Sequence, residues 1–211
     1  MESGFFALDA VPFAPGEAPY HCKGVNYTDL FVYMDEQIPG GRAAVFERLK
    51  NSRLIPFLQQ RFVNVGWYDV FPLVSLQRTA AVAMELPHLE FVRRFAKWTF
   101  PRQVHGIYKF LLKLTTPDMM TRSLPRAANQ FFDFLRVDVE QMKPGMYRSR
   151  ASNIPEMLAP PYMVSSESGV VTLLELSGAK GIRHRWLAPT DDGEAYGIKL
   201  VAVTREISWE R

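Results

Sequence analysis

The sequence predicts an α+β protein in which an N-terminal helical layer packs on a small antiparallel sheet of β-β-α-β-β order. Three observations carry this. Between Val25 and Thr116 apolar residues recur at the three-to-four-residue spacing of helices. After Phe131-Phe132 the period changes to two, with Leu135, Val137 and Val139 alternating with Arg136, Asp138 and Glu140. Lys143-Pro144-Gly145-Met146 then places Pro and Gly where a type II turn requires them, so the strand returns as a hairpin. Residues 1–21 read as an extended arm, and 22–211 as a single domain, helical over 22–132 and sheet-containing over 133–211.

The arm carries Pro12, Pro15 and Pro19 with Gly4 and Gly16, and Phe5, Phe6 and Phe13 to pack on the body. A helix over Gly24–Ile38 follows (Val25, Leu30, Phe31, Met34) and stops at Pro39-Gly40-Gly41. Short helices around Ala43–Leu49 and Leu54–Phe62 come next. Asp69 is placed to cap a helix carrying Leu73, Leu76, Ala80, Ala83 and Met84. Pro87 separates it from a helix bearing Leu89, Val92, Phe95 and Ala96, which Pro101 breaks or kinks. Val104, Ile107, Tyr108, Leu111 and Leu112 form an amphipathic helix. Thr116 offers an N-cap with Pro117 at the first helical position, and Ser123-Leu124-Pro125 marks a kink or restart. Beyond the hairpin, Pro155–Pro161 reads as a linker and Tyr162–Ser177 as a helix. Ile182–Leu187 and Tyr196–Trp209 are the last strands, joined through Pro189-Thr190-Asp191-Asp192-Gly193.

Composition narrows the function classes. At 47% hydrophobic and 13% aromatic residues the chain can fill a substantial core, and a net charge of +3 demands no polyanionic partner. Arg93, Arg94, Lys97, Arg102, Lys109 and Lys113 make a basic helical region, read as a solvated face; nucleic-acid binding is not expected. The single cysteine, Cys22, excludes an intrachain disulfide and a cysteine-clustered zinc site. No apolar run approaches the roughly 18 residues of a membrane span, and the N-terminus lacks a secretory pattern. A bacterial cytoplasmic protein is expected.

No phosphate loop, dinucleotide fingerprint, HExxH or GxSxG occurs, so no enzyme class is marked and none is expected. His21-Cys22 are adjacent and point apart on an extended backbone, a poor nucleophile pair. His105 is read as a surface or capping residue, His88 as a helix start and His184 as a solvated strand edge. Arg136, Asp138 and Glu140 share a strand face, where a cross-strand charge ladder is expected.

Several stretches together resemble a known superfamily. They are Lys23-Gly24-Val25, Trp67-Tyr68 with Pro72, Gly106-Ile107-Tyr108 with Leu111-Leu112, Pro125 with Phe131-Phe132, and Ile207-Ser208-Trp209. Over roughly residues 22–210 the chain resembles a paralogous family expanded in myxobacteria, related to the haem–nitric-oxide-binding (H-NOX) and 4-vinyl-reductase domains. The resemblance implies an axial histidine on the helix before the hairpin, but Asn129 stands near that place. It implies a propionate pattern Tyr-x-Ser-x-Arg, whereas Tyr147-Arg148-Ser149-Arg150-Ala151 carries its arginine one residue early. On a strand that shift turns the side chain to the opposite face. Cysteines of the vinyl-reductase relatives are replaced by Asp191-Asp192-Gly193-Glu194-Ala195. No haem, metal or other cofactor is therefore expected.

The resemblance also implies a pocket between helices and sheet. Trp67, Tyr68, Phe71, Trp98, Tyr108, Phe131, Phe132, Phe134 and Tyr147 are the candidate lining for a small hydrophobic ligand. The expectation is a non-catalytic, haem-free sensory or regulatory domain that binds such a ligand or a protein partner, as a homodimer. The alternatives are an interaction module with no pocket and a haem-binding gas sensor with a non-standard ligand.

Overall fold

The computed structural model describes residues 11–49, 52–105 and 116–210. It divides into two compact units, each described by itself: the residues up to Phe95 with Phe131–Asp133, and Ala96–Gln130 with the residues from Phe134 onward.

In the first unit, β1 (His21–Lys23) pairs antiparallel with β2 (Trp67–Asp69), a pair the sequence pattern does not reveal because each strand is only three residues long. Helix α1 (Val25–Gln37) buries Tyr27, Leu30, Phe31 and Met34, the stripe expected of an amphipathic helix. Short helices α2 (Gly41–Arg48) and α3 (Ile55–Leu58) follow. Asp69 caps α4 (Val70–Ala83) as expected, accepting from the Phe71 N–H at 2.9 Å. Along α4 every position from Val70 to Gln77 is buried, so its first two turns lie wholly in the core. Tyr27 stacks on Phe62 with centroids 4.3 Å apart, and Phe31, Phe57 and Tyr68 close around that pair. On the far side of α1, Tyr33 meets Phe91 and Phe95 of α5 (His88–His105). Pro101 lies inside α5 and does not end it. The amphipathic run expected beyond it, with Tyr108, lies outside the described residues.

The second unit holds α6 (Pro117–Phe131, of which Phe131 belongs to the first unit) and the sheet. Thr116 caps α6 as expected, its Oγ1 accepting from the Met119 N–H at 3.3 Å, and the helix runs through Pro125. β3 (Arg136–Lys143) and β4 (Met146–Pro155) form the hairpin, with Gly145 at φ 73° in the turn. The expected linker is instead a 3₁₀ turn (Glu156–Leu158) leading into α7 (Ala159–Leu176). Pro160 and Pro161 fall in the first turn of α7, where a missing N–H is harmless. β5 (Lys180–Trp186), β6 (Thr190–Ala195) and β7 (Ile198–Glu210) complete the sheet. Its order is β3-β4-β7-β5, and β6 also pairs with β7, through Thr190↔Ala202 to Ala195↔Ile198. β6 is an addition to the expected order: its TDDGEA sequence has no alternation and only Thr190 as a β-former, and pairing to β7 makes it a strand.

Packing on the sheet decides which face is interior. Leu124 of α6, Val170 and Leu174 of α7, Ala179 and Ile207 of β7 form one buried cluster, joined by Val139, Ile182 and Trp209. The opposite face carries charge. Arg148 and Arg185 both bond Glu206 (3.0 and 2.6 Å), and Arg150 bonds Asp192 at 3.0 Å. Register sets Asp138 opposite Arg150 and Glu140 opposite Arg148, as a ladder requires, but those arginines take carboxylates of β6 and β7.

Candidate functional site

The aromatic residues named from the sequence fall into both units. In the first, Trp67 is 41% exposed, with the Lys23 ammonium 3.7 Å above its ring and bonded to the Val65 carbonyl. Tyr68 packs on Phe62, and its hydroxyl accepts from the Val63 N–H at 2.9 Å. Phe71 is fully buried, edge-on to Tyr20. Phe131 and Phe132 are half-buried, and Phe132 bridges to Cys22. In the second unit Trp98 is half-buried beneath the Arg102 guanidinium at 3.9 Å, and Phe134 is half-buried. Tyr147 is fully buried, stacked on Trp209 at 5.6 Å, and donates to Asp118 of α6 at 2.7 Å. Tyr108 lies outside the described residues.

The residues that would hold haem can be tested one by one. Asn129 is exposed on α6, and α6 contains no histidine, cysteine or tyrosine. On β4, Tyr147, Ser149 and Ala151 are buried, while Arg148 and Arg150 point to the charged face and are held there by carboxylates. The one-residue displacement of arginine thus has the geometric consequence the pleat demands. Tyr147 and Ser149 remain on the inner face, with alanine two residues on where the implied pattern has arginine. The described residues do not match the haem-binding set that the resemblance implies.

The histidines divide. His21 takes Asp133 as partner at 2.6 Å, half-exposed. Beside it Cys22 is fully buried, and burial, then the Asp69 charge, hold its thiol far above the ordinary range, so it is no thiolate nucleophile. His88 opens α5 as expected, with burial and then Arg78 pushing its pKa down to about 4. His184 departs from the sequence reading. It is not a solvated edge: its side chain is 8% exposed and its Nε2 is buried without a partner. β5 is an edge strand only in its backbone rim; α7 covers its inner face, where His184 lies edge-on to Trp186. Among the described residues no group of three or more His, Cys, Asp or Glu is placed to hold a metal ion.

Sequence reasoning missed Arg205. It is 4% exposed, on the inner face of β7, opposite Ser149 of β4 and Trp186 of β5. A signal was available: Val201, Val203, Arg205, Ile207 and Trp209 share one phase of the strand, so a cation stands in an apolar series.

No family model matches the chain, and no curated protein matches it by sequence. Solved structures do match. The Fe(II) unliganded H-NOX protein from K. algicida superposes with TM-score 0.60 at 12% identity, covering 90% of this chain and 97% of that one. An H-NOX protein from S. oneidensis in its Fe(II)NO state gives 0.58 at 12%, covering 90% and 99%. An oxygen-binding H-NOX domain related to soluble guanylate cyclases gives 0.61 at 10%, covering 89% and 93%. Helices and antiparallel sheet of this chain are thus arranged in the H-NOX fold.

Proposed function

We propose that the chain is a non-catalytic sensory or regulatory domain that binds a small, largely apolar ligand without haem. The observation that carries the reading is the combination of an H-NOX fold with α6 lacking an axial imidazole and β4 turning its arginines to the charged face. The aromatic residues named above remain proposed ligand contacts, taken within each unit. A protein partner and homodimerisation are proposed for signal output, in the cytoplasm; among the described residues no helix is long and apolar enough to cross a membrane. The finer kinship, with a myxobacterial paralogous set and with 4-vinyl-reductase domains, rests on the sequence motifs alone. The test is native mass spectrometry beside the denatured mass, followed by titration with haemin. Added mass of a small organic molecule and no stoichiometric Soret band are expected. One haem per chain would overturn the reading.

A further inference from the structure

The sheet of the second unit has two rim strands, β3 and β5, and they are guarded differently. β3 pairs with β4 on one side, and among the described residues no strand pairs with its other side. α6 reaches β3 from the inner face, where Arg122 bonds Gln141 at 2.8 Å, so the in-plane rim stays open. The strand is regular from Arg136 to Gln141 and bulges before Lys143. Over the regular stretch Arg136, Asp138 and Glu140 are exposed on the outer face. Val137 and Val139 are half-buried on the inner one, Val139 against the cluster of Leu124, Val170 and Leu174. The cross-strand neighbours of Asp138 and Glu140 are already engaged: Arg150 bonds Asp192 and Arg148 bonds Glu206, each at 3.0 Å. Asp138 and Glu140 thus form no ion pair among the described residues.

An open rim is a template for another strand, and proteins commonly block it with charge or a bulge. β5 is blocked both ways. It bulges between Lys180 and Arg183, and Arg183 and Arg185 are exposed on the outer face. Self-pairing centred anywhere from Arg183 to Arg185 sets arginine against arginine. The charges of β3 do the reverse when a second copy runs antiparallel to it. The register that pairs the whole of Arg136–Glu140 is centred on Asp138. It sets Arg136 opposite Glu140 of the second copy and Val137 opposite Val139, each twice by symmetry. Residues directly opposite share a face, so the ion pairs lie on the outer face and the valines on the inner one. Centring on Val137 shortens the pairing, and centring on Val139 opposes Asp138 to Glu140. In the favoured register the like-charged pair is Asp138 against its own copy on the axis, with Arg136 diagonal to it on both sides.

We propose that the β3 rim is the seam of a homodimer, in which two copies pair antiparallel about Asp138 and join their sheets into one. This rests on the homodimer in the functional reading above and names its surface. A twofold contact closes on itself, and the β5 rims left at the two ends repel their like, so assembly stops at two. The competing occupant is β5 of another copy, which would oppose Asp138 to Arg185 and Glu140 to Arg183 and grow without closing. It fits less well: Arg185 already bonds Glu206 at 2.6 Å, and the bulge at Gly181, φ 57°, shortens β5. It would also leave Arg136 without an acid. The seam is short, so the dimer is expected to be weak and concentration-dependent.

The test is sedimentation velocity of the full chain over a concentration series, where a monomer–dimer equilibrium is expected. Glu140→Arg and Arg136→Glu should each weaken the dimer roughly 10- to 100-fold, because both symmetry-related pairs become like-charged. The double variant exchanges the signs and keeps the pairing, so it should recover the native constant to within about threefold. Asp138→Asn removes the axial repulsion and should tighten the dimer. Cysteine trapping reads the register directly. Asp138→Cys should form an intermolecular disulfide on mild oxidation, whereas Glu140→Cys, set opposite Arg136 and far from its own copy, should not. The native Cys22 is fully buried and does not compete. A chain monomeric at every concentration would overturn both the seam and the homodimer and leave the small-ligand reading intact. A dimer indifferent to the reversals, or one the double variant does not restore, would place the seam elsewhere. Growth past the dimer would put β3 on β5 and refute the closed pairing. Should a reversal fail to fold, the cysteine comparison still decides.

Discussion

Gly24, between β1 and α1, is where a single methyl group should do the most damage. A Cβ built there lies 2.1 Å from the Val63 carbonyl oxygen, 2.9 Å from the Val63 carbonyl carbon and 2.8 Å from the Tyr68 ring. The first two contacts are backbone, so no rotamer change relieves them. The Val63–Gly66 segment is also tied down: Gly24 N–H bonds the Gly66 carbonyl at 2.9 Å, Val25 N–H bonds the Asn64 carbonyl at 3.1 Å, and Gly66 N–H bonds Val63 at 2.9 Å. Accommodating alanine means moving that segment by more than 1 Å and loosening these bonds. Overpacking costs about 1–3 kcal/mol, and each weakened hydrogen bond about 1 more. Gly24→Ala is therefore expected to destabilise by about 3–4 kcal/mol, a fall in Tm of roughly 6–16 °C for a chain of this size. Urea unfolding followed by circular dichroism measures it. Gly178, after α7, is the control, with φ +94° and nothing within 4 Å of an added Cβ. Gly178→Ala should cost only the left-handed backbone penalty, about 1–2 kcal/mol. Equal losses at the two positions, or a Gly24→Ala loss under 1 kcal/mol, would refute the steric argument.

Two further outcomes follow from buried polar groups. The His88 pKa is lowered from 6.5 to about 4, so the folded state resists a proton that the unfolded chain accepts. Its stabilising contribution is complete above pH 6.5 and is lost as pH falls from there toward 4, by at most about 1.4 kcal/mol per pH unit and less for a partly exposed ring. His184, also lowered, acts in the same direction. Urea midpoints of the native chain and His88→Gln should therefore converge between pH 7 and 4.5; parallel curves would contradict the burial. At Asp69, the carboxylate accepts from Phe71 N–H and Gly16 N–H, both at 2.9 Å, joining the N-terminal arm to the start of α4. Asp69→Ala should cost about 2–4 kcal/mol from the lost cap and an unpaired amide, with Asp69→Asn intermediate. A midpoint shift below 0.5 kcal/mol would show the cap to be replaceable by water.

Where local pattern and tertiary environment agree, the elements could be read directly. α1, α4, α6 and the β3–β4 hairpin carry their own period, cap and turn residues, and each lies within a few residues of its expected place. Elements lacking those signals were invisible. β1 and β2 are too short to show a period, and β6 is a polar segment made a strand by the free rim of β7. His184 looked solvated between Arg183 and Arg185; nothing local announces that α7 will cover it.

The sequence by itself determined the class of fold and the face of each side chain on β4 from Tyr147 to Ala151, because the pleat has a period of two up to the bulge that follows. Counting from Tyr147 was enough to turn Arg148 and Arg150 away from Ser149. Only the tertiary structure decided what those faces meet. It took register across β4, β7 and β5 to set Ser149, Arg205 and Trp186 side by side. It then took α7 to bury Arg205 among them, because desolvation depends on neighbours distant in the chain.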